Sequence, residues 1–180
     1  MLARHRVDEQ GNLLYSGAPG TGGFSDVKRG DWYAPYVTFA KRYGIANGYL
    51  DGTFRPEQPV SRAELVKLIA SYFTVEGGTS PFPDVPDGHW AAEVVSFAAV
   101  VGWGSGYPDG TFRPDAPVSR AEAVKILNHA LDRRAGERAA ALPFTDVEKG
   151  HWACDENREA AVSHIYRKSG EGETWLTYER

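Results

Sequence analysis

The chain has 180 residues, 42% of them hydrophobic and 24% charged, with a formal net charge of −4. That make-up suits a globular protein of one large domain or two small ones, and it argues against nucleic acid as a partner. No window is apolar over the length of a membrane span, so no membrane insertion is expected, and the single cysteine, Cys154, excludes an intrachain disulfide.

Residues 1–23 carry charges and glycines without the apolar segment of a signal peptide, and GAPGTGG at 17–23 is rich in turn formers. They read as a linker or the tail of a preceding domain. If the protein is exported, its signal peptide is expected elsewhere in a longer sequence.

From residue 24 the sequence repeats itself. A shift of 58 residues aligns 24–73 with 82–131 without a gap and with 26 identities in 50 positions. A third start follows 62 residues later: FSDVKRGDW (24–32), FPDVPDGHW (82–90) and FTDVEKGHW (144–152) are one element three times over. The expected organisation is therefore repeat one at 24–81, repeat two at 82–143, and a degenerate third at 144–180 with a C-terminal tail.

Each full repeat reads as helix, loop, helix. The first helix is expected from about Trp32 to Tyr43, with Asp31 as N-cap and Gly44 just past its end; Gly102 is the equivalent in repeat two. Helical spacing of apolar residues gives Trp32, Tyr36, Phe39, Tyr43 and Trp90, Val94, Phe97, Val101 as the inward stripes. Next comes a loop with Asp-Gly turns at 51–52 and 109–110, in which Phe54 and Phe112 are the apolar residues able to pin it to a core. The second helix opens with Ser61 or Ser119 and carries Glu64 or Glu122 three residues on, the pattern of a capping box. Behind it lie Val66, Leu68, Ile69 and Phe73, matched by Val124, Ile126, Leu127 and Leu131. Good helix formers continue past Leu131 towards a break at Gly136. One such unit cannot bury its apolar face alone, and packing repeat on repeat solves that.

The third unit keeps its first helix through Ala160 and Ala161 and then reads VSHIYRKSGEGETWLTYER, with no GYxDGTFRP and no SRAE. Three forms are open to it: a first helix extended to about Arg167 that fills the gap, a truncated unit that leaves one lobe unsupported, or a missing helix supplied by a partner chain. The expected form is the first, with the tail after Lys168 folding back as a short strand or hairpin.

FxDV, then Trp, then GYxDGTFRP, then SRAE, twice in order at fixed spacing, resembles the S-layer homology domain. The resemblance covers residues 24–131 fully and 144–162 in part. It implies a mainly α, pseudo-threefold domain of helix-loop-helix units around a central helical bundle, here with the third unit incomplete. It also implies a non-catalytic, secreted module that anchors a larger exported protein at the cell surface. The implied partner is a secondary cell-wall polymer, anionic through pyruvylation, or a peptidoglycan-linked glycan.

The resemblance carries a binding site in the grooves between units over to Arg62 and Arg120, Trp90 and Trp152, Asp84 and Asp146, and Gly48 and Gly106. The chemistry is compatible. A pyruvate ketal presents a carboxylate, which a guanidinium fork binds through two parallel donors. Arg62 and Arg120 stand at the first helical position, where free N–H groups and the helix dipole also favour an anion. An SRAE arginine occurs twice, so one or two competent grooves are expected.

Each residue also has a plainer role open to it. The arginines pair with neighbouring carboxylates, the tryptophans pack the lobes, and the FxDV aspartates cap turns. An assembly module that keeps the fold and has lost the glycan site is the alternative function.

No metal or other cofactor is expected. N-x-Y-x-D-G at 47–52 resembles a calcium loop, but Tyr49 and Tyr107 stand where an acidic or amide residue is needed, and Gln58 and Ala116 where a Glu is needed. His151, Cys154 and His164 lack the second close pair of a zinc site. There is no GxSxG, P-loop or HExxH, so the chain does not read as an enzyme.

Overall fold

The computed structural model describes residues 20–133, 142, 144–162, 164–169 and 172–178, the last two stretches as backbone only. These residues are mainly helical. Helices α1 (Ala34–Arg42), α2 (Arg62–Ala70), α3 (Ala92–Val100), α4 (Arg120–Ala130) and α5 (Cys154–Ala161) precede strands β1 (His164–Ser169) and β2 (Gly172–Tyr178).

The first helices end where glycine permits. Gly44 and Gly102 follow the C-caps Tyr43 and Val101 with φ of +67° and +77°, the left-handed step that ends many helices. Their starts differ from expectation. Tyr33 is the N-cap of α1, and the Asp31 carboxylate is used one turn earlier, accepting from Lys28 N at 2.8 Å. Of the eight residues in the expected apolar stripes, only Phe39 is buried. Trp32 and Trp90 lie ahead of the first helical turn and so fall off the helical wheel. Small residues take the inward face instead: Ala34 and Val37 in α1, Ala92, Val95 and Ala98 in α3.

Both second helices carry the capping box. In α2, Ser61 N donates to Glu64 Oε2 at 2.8 Å and Glu64 N to Ser61 Oγ at 3.2 Å; in α4 the same pair joins Ser119 and Glu122 at 2.9 and 3.2 Å. Val66, Ile69 and Ile126 are buried, whereas Phe73 falls past the end of α2 and is 40% exposed. Helix α4 stops at Ala130, followed by Leu131 as C-cap and by Asp132 at φ +51°. It therefore does not run on past Leu131, and Gly136 lies outside the described residues.

The loops between helices are near-copies. Asp26 accepts from Phe54 N and Arg55 N at 2.8 and 2.7 Å, and Asp84 accepts from Phe112 N and Arg113 N at 2.9 and 2.7 Å. Phe24 packs on Phe54 and Phe82 on Phe112, each with centroids 5.3 Å apart. Arg55 and Arg113 take left-handed backbone (φ 58° and 57°), and each side chain returns to Asp51 or Asp109 at 2.8 Å.

The chain divides into two compact units, residues 1–59 with 68–74, and residues 60–67 with 75–180. Within the first, Phe24, Val27, Ala34 and Val37 form a core with Tyr33 and Phe54 against it. Within the second, the start of α2 is tied to the second repeat's loop. Arg62 N donates to Ala116 O at 3.1 Å, Ala63 N to Pro114 O at 3.0 Å and Val118 N to Val60 O at 2.9 Å.

Helix α5 ends at Ala161, and Val162 is already extended (φ −89°, ψ 125°), so the first helix of unit three does not reach Arg167. His-Ile-Tyr favours a pleated strand, and β1 pairs antiparallel with β2 from His164↔Tyr178 to Ser169↔Gly172, with an irregularity after Ile165. A hairpin is therefore formed, but it begins at His164, inside the stretch expected to be helical, and not after Lys168; how its side chains pack lies outside the described residues. Helix α5 is polar where α3 is apolar, with Asn157 and Glu159 in the places of Val95 and Phe97, and both are buried. Asn157 Nδ2 donates back to Ala153 O at 2.8 Å, and polar groups of α4 and its C-terminal turn meet Glu156 and Glu159. Asn128 Nδ2 donates to Glu156 O and Oε2 at 3.0 and 2.7 Å, and Arg133 meets Glu159 at 3.3 Å.

Candidate functional site

Arg62 is buried at the first position of α2, only 5% exposed. Its Nε donates to Phe112 O at 2.9 Å and its Nη1 to Glu122 Oε1 at 3.1 Å. The guanidinium lies over the rings of Tyr107 and Phe112, 4.8 and 4.9 Å from their centroids. Glu122 also accepts from the Tyr107 hydroxyl at 2.5 Å while serving the α4 capping box. Burial pushes the Glu122 carboxyl up, but Tyr107, the Ser119 donors and Arg62 outweigh it and hold the group below its usual range. Both guanidinium contacts reach into the second repeat.

Asp84 is likewise engaged. Desolvation raises its carboxyl, and the Phe112 and Arg113 amides lower it further than that, leaving it below the ordinary range. Gly48 and Gly106 have φ of +73° and +70°. A Cβ there would stand 2.2 Å from Phe24 and 2.5 Å from Phe82, and 2.7 Å from a loop carbonyl in both cases. Glycine is what lets the loop close onto the FxDV phenylalanine.

The other four expected residues are exposed. Trp90 is 53% and Trp152 57% accessible. Lys67 Nζ lies over the Trp90 ring at 5.2 Å, and Lys125 Nζ over Trp152 at 5.7 Å. Behind each tryptophan stands a histidine ring, His89 or His151, at 5.5 Å and 31°. Each histidine Nδ1 accepts the N–H of Ala91 or Ala153 at 3.1 Å, which holds the ring in place. Arg120 is exposed, 6.0 Å from the Phe144 ring. The side chains of Arg120 and Asp146 make no hydrogen bond or ion pair with another described residue.

Two exposed indole faces, each with a lysine ammonium over it and a histidine fixing its base, thus recur in the second compact unit. An indole face suits the C–H face of a sugar ring, and the ammonium suits an anionic substituent. The lysines were legible as the fifth residue after each SRAE arginine, at the same place in both repeats, but that regularity alone says nothing about a tryptophan 23 or 27 residues further on. Among the described residues no cluster of three or more His, Cys, Asp or Glu is arranged to hold a metal ion, and no helix is long and apolar enough to cross a membrane.

Residues 23–66 and 81–124 match the family model of the S-layer homology domain. The chain belongs, through these two segments, to the S-layer homology family. Each matched segment contains one FxDV aspartate, one opening tryptophan, one clamped loop and one capped SRAE helix start. Unit three carries the same histidine–tryptophan arrangement at its start, outside the matched segments.

The chain is 34% identical over 172 residues to cell surface glycoprotein 1 of Acetivibrio thermocellus, a match covering 89% of this chain and 7% of that protein. It is 34% identical over 156 residues to the cellulosome-anchoring protein of the same organism, covering 83% of this chain and 35% of the relative. It is 36% identical over 121 residues to exoglucanase XynX, again of Acetivibrio thermocellus, covering 62% of this chain and 11% of that enzyme. The S-layer homology chain thus spans a minor part of each of these relatives.

Proposed function

We propose that this chain is a non-catalytic module of the cell surface that anchors a larger exported protein to the cell wall by binding an anionic wall polysaccharide without a covalent bond. The observation that carries the reading is the repeated pair of exposed tryptophan and lysine, Trp90 with Lys67 and Trp152 with Lys125. The names of the relatives, a cell surface glycoprotein and a cellulosome-anchoring protein, support the surface location and the anchoring role. The enzyme XynX sharing the same region supports a tether distinct from the catalytic part.

In this reading a sugar ring lies on the indole and its carboxylate, a pyruvate ketal for instance, meets the lysine. Of the two SRAE arginines Arg120 is the exposed one, its fork without a hydrogen-bond partner among the described residues. Arg62, Asp84, Gly48 and Gly106 act from behind, by holding the loops in shape.

The test is co-sedimentation of the purified chain with cell-wall sacculi. Wild type should pellet, Trp90→Ala with Trp152→Ala should stay in solution, and sacculi stripped of pyruvyl groups should lose the wild-type chain. Equal pelleting of wild type and the double variant would refute the tryptophan assignment.

The engagement of Arg62 with Glu122 and Phe112 favours a second reading, an assembly module in which the SRAE arginine joins polypeptide to polypeptide. Wall binding that is unaffected by removal of pyruvyl groups and lost with another protein component would favour it.

A further inference from the structure

The turn that leads into each first helix is built the same way three times. The backbone N–H of Asp31, His89 and His151 donates to the carbonyl three residues earlier at 3.0, 2.8 and 2.9 Å. The carbonyl of each accepts the N–H three residues later at 3.0, 2.9 and 2.9 Å. A tryptophan follows each of them, yet the three indoles sit differently. Trp90 and Trp152 have the ring of His89 or His151 against them at the same 5.5 Å and 31°. Trp32 instead meets Tyr33 edge-on, at 5.6 Å and 78°. It is 81% exposed, against 53% and 57% for the other two.

With one backbone frame, the difference lies in the flanking side chains. Histidine and alanine flank Trp90 and Trp152, whereas aspartate and tyrosine flank Trp32. The imidazole Nδ1 accepts the N–H two residues on, at Ala91 or Ala153, at 3.1 Å. That bond fixes the orientation of the imidazole, and the fixed ring limits how the neighbouring indole can turn. Asp31 uses its carboxylate in the opposite direction, on Lys28 N at 2.8 Å, and has no ring to offer. The helices that follow the two histidines are unlike, AEVVSFAAV in α3 and CDENREAA in α5. The matching ring geometry is therefore set within the turn itself.

We infer that His89 and His151 are positioning residues, each holding the indole that follows it in the orientation a sugar ring uses, and that Trp32, with aspartate in that place, is not a binding platform. The inference rests on the wall-binding reading for its ligand and on the turn geometry for its mechanism. An indole already held in place gives up little side-chain freedom when a sugar stacks on it, so less of the contact is spent on ordering. The histidine touches the indole and acts on the polymer only through it. Three tryptophans recur in the sequence, but the chain carries two platforms, both in the second compact unit.

The test compares wild type with His89→Asn plus His151→Asn, with Trp90→Ala plus Trp152→Ala, and with Trp32→Ala. Each is measured by co-sedimentation with cell-wall sacculi, near-UV circular dichroism and urea unfolding. Asparagine keeps an oxygen able to accept the N–H two residues on and removes the ring, so the histidine variant should keep the wild-type urea midpoint. It should lose most of the indole dichroism that the double tryptophan variant loses. It should bind sacculi about fivefold more weakly, the size expected when a side chain must be ordered on binding. Trp32→Ala should bind as wild type does. Wild-type dichroism in the histidine variant would overturn the inference whatever the binding. So would binding lost only in step with stability, or a Trp32→Ala defect as large as that of the double tryptophan variant. Wild-type affinity in the histidine variant, with the tryptophan variant unbound, would overturn it and leave the wall-binding reading standing. Wild-type affinity in the tryptophan variant would refute that reading instead, and the dichroism would then decide whether the histidines hold the indoles.

Discussion

Asp84 and Arg62 hold opposite ends of Phe112, one at its N–H and the other at its carbonyl, each at 2.9 Å. One aspartate lies 28 residues before the phenylalanine and the arginine 50 residues before it. The clamp therefore joins the FxDV turn of repeat two, the loop of repeat two and the helix start of repeat one at a single residue. Phe112 is itself wholly buried, so its position is set by packing as well as by hydrogen bonds.

The two SRAE arginines should differ sharply in their effect on stability. Arg62→Ala leaves the Phe112 carbonyl and the partly buried Glu122 carboxylate without their donor. Its expected cost is about 3 kcal/mol, since removing one partner of a buried pair strands the other. Arg120→Ala, at an exposed site, should cost less than about 0.5 kcal/mol. Urea unfolding of both variants, with unchanged m-values, checks this; equal costs would mean that Arg62 is not the link described.

How much of this was legible in the sequence depends on the range of the interaction. The repeats, the capping boxes at Ser61 and Ser119, the Asp-Gly turns and the terminal glycines are local signals, and each forms where its residues indicate. The two-sided grip on Phe112 is not local. Nothing near Arg62 shows that its side chain ends on a carboxylate 60 residues away. The helix stripes were misphased for a related reason: the large Trp32 and Trp90 dominate the apolar pattern, yet they precede the helix, and the small alanines and valines carry the contact. Unit three departs because a helix-to-strand change after Ala161 turns on strand pairing between His164–Ser169 and Gly172–Tyr178, which no helical window reports.

Acid should loosen the clamps. Asp26 is lowered chiefly by the Phe54 amide, Asp84 by the Phe112 and Arg113 amides against desolvation, and Asp51 is held down to about 2 by Thr53 and Arg55. Glu122 is lowered as well, against its own burial. Groups depressed in the folded state add stability above their unfolded pKa, near 4, and lose it as pH falls through the folded value. The expected profile has no contribution from these groups to pH dependence between 7 and 5.5, then a fall from about pH 4.5 downward. Asp84→Asn should be less stable at neutral pH and should flatten the acid limb. A limb as steep as wild type in denaturant melts across pH would exclude Asp84 as a source of it.

The loop glycines should separate into two classes. Gly106→Ala meets both a left-handed φ and a Cβ 2.5 Å from Phe82, whereas Gly110→Ala meets a left-handed φ alone, with nothing within 4 Å. Gly110→Ala should cost about 1–2 kcal/mol for the backbone. Gly106→Ala should cost about 1–3 kcal/mol more, because the phenylalanine must move. Thermal unfolding of the two variants side by side reads the difference, and matching melting temperatures would show that Phe82 yields freely.

The tryptophan–lysine pairs should matter for binding and not for folding. Trp90 and Trp152 are more than half exposed, so Trp90→Ala and Trp152→Ala should each shift stability by less than about 1 kcal/mol. Loss of one indole platform should lower affinity for wall sacculi at least about tenfold if the polymer lies on it, since about 1.4 kcal/mol of lost contact is a factor of ten. Lys67→Ala and Lys125→Ala should lower it less and should flatten its dependence on salt, because the ammonium acts through a screened charge. Tryptophan fluorescence offers an independent readout, as polymer binding should quench or shift the emission of wild type and change that of each single variant by about half. If the lysine variants keep the wild-type salt dependence, the anionic substituent does not lie at the lysines, and Arg120 becomes the residue to test next.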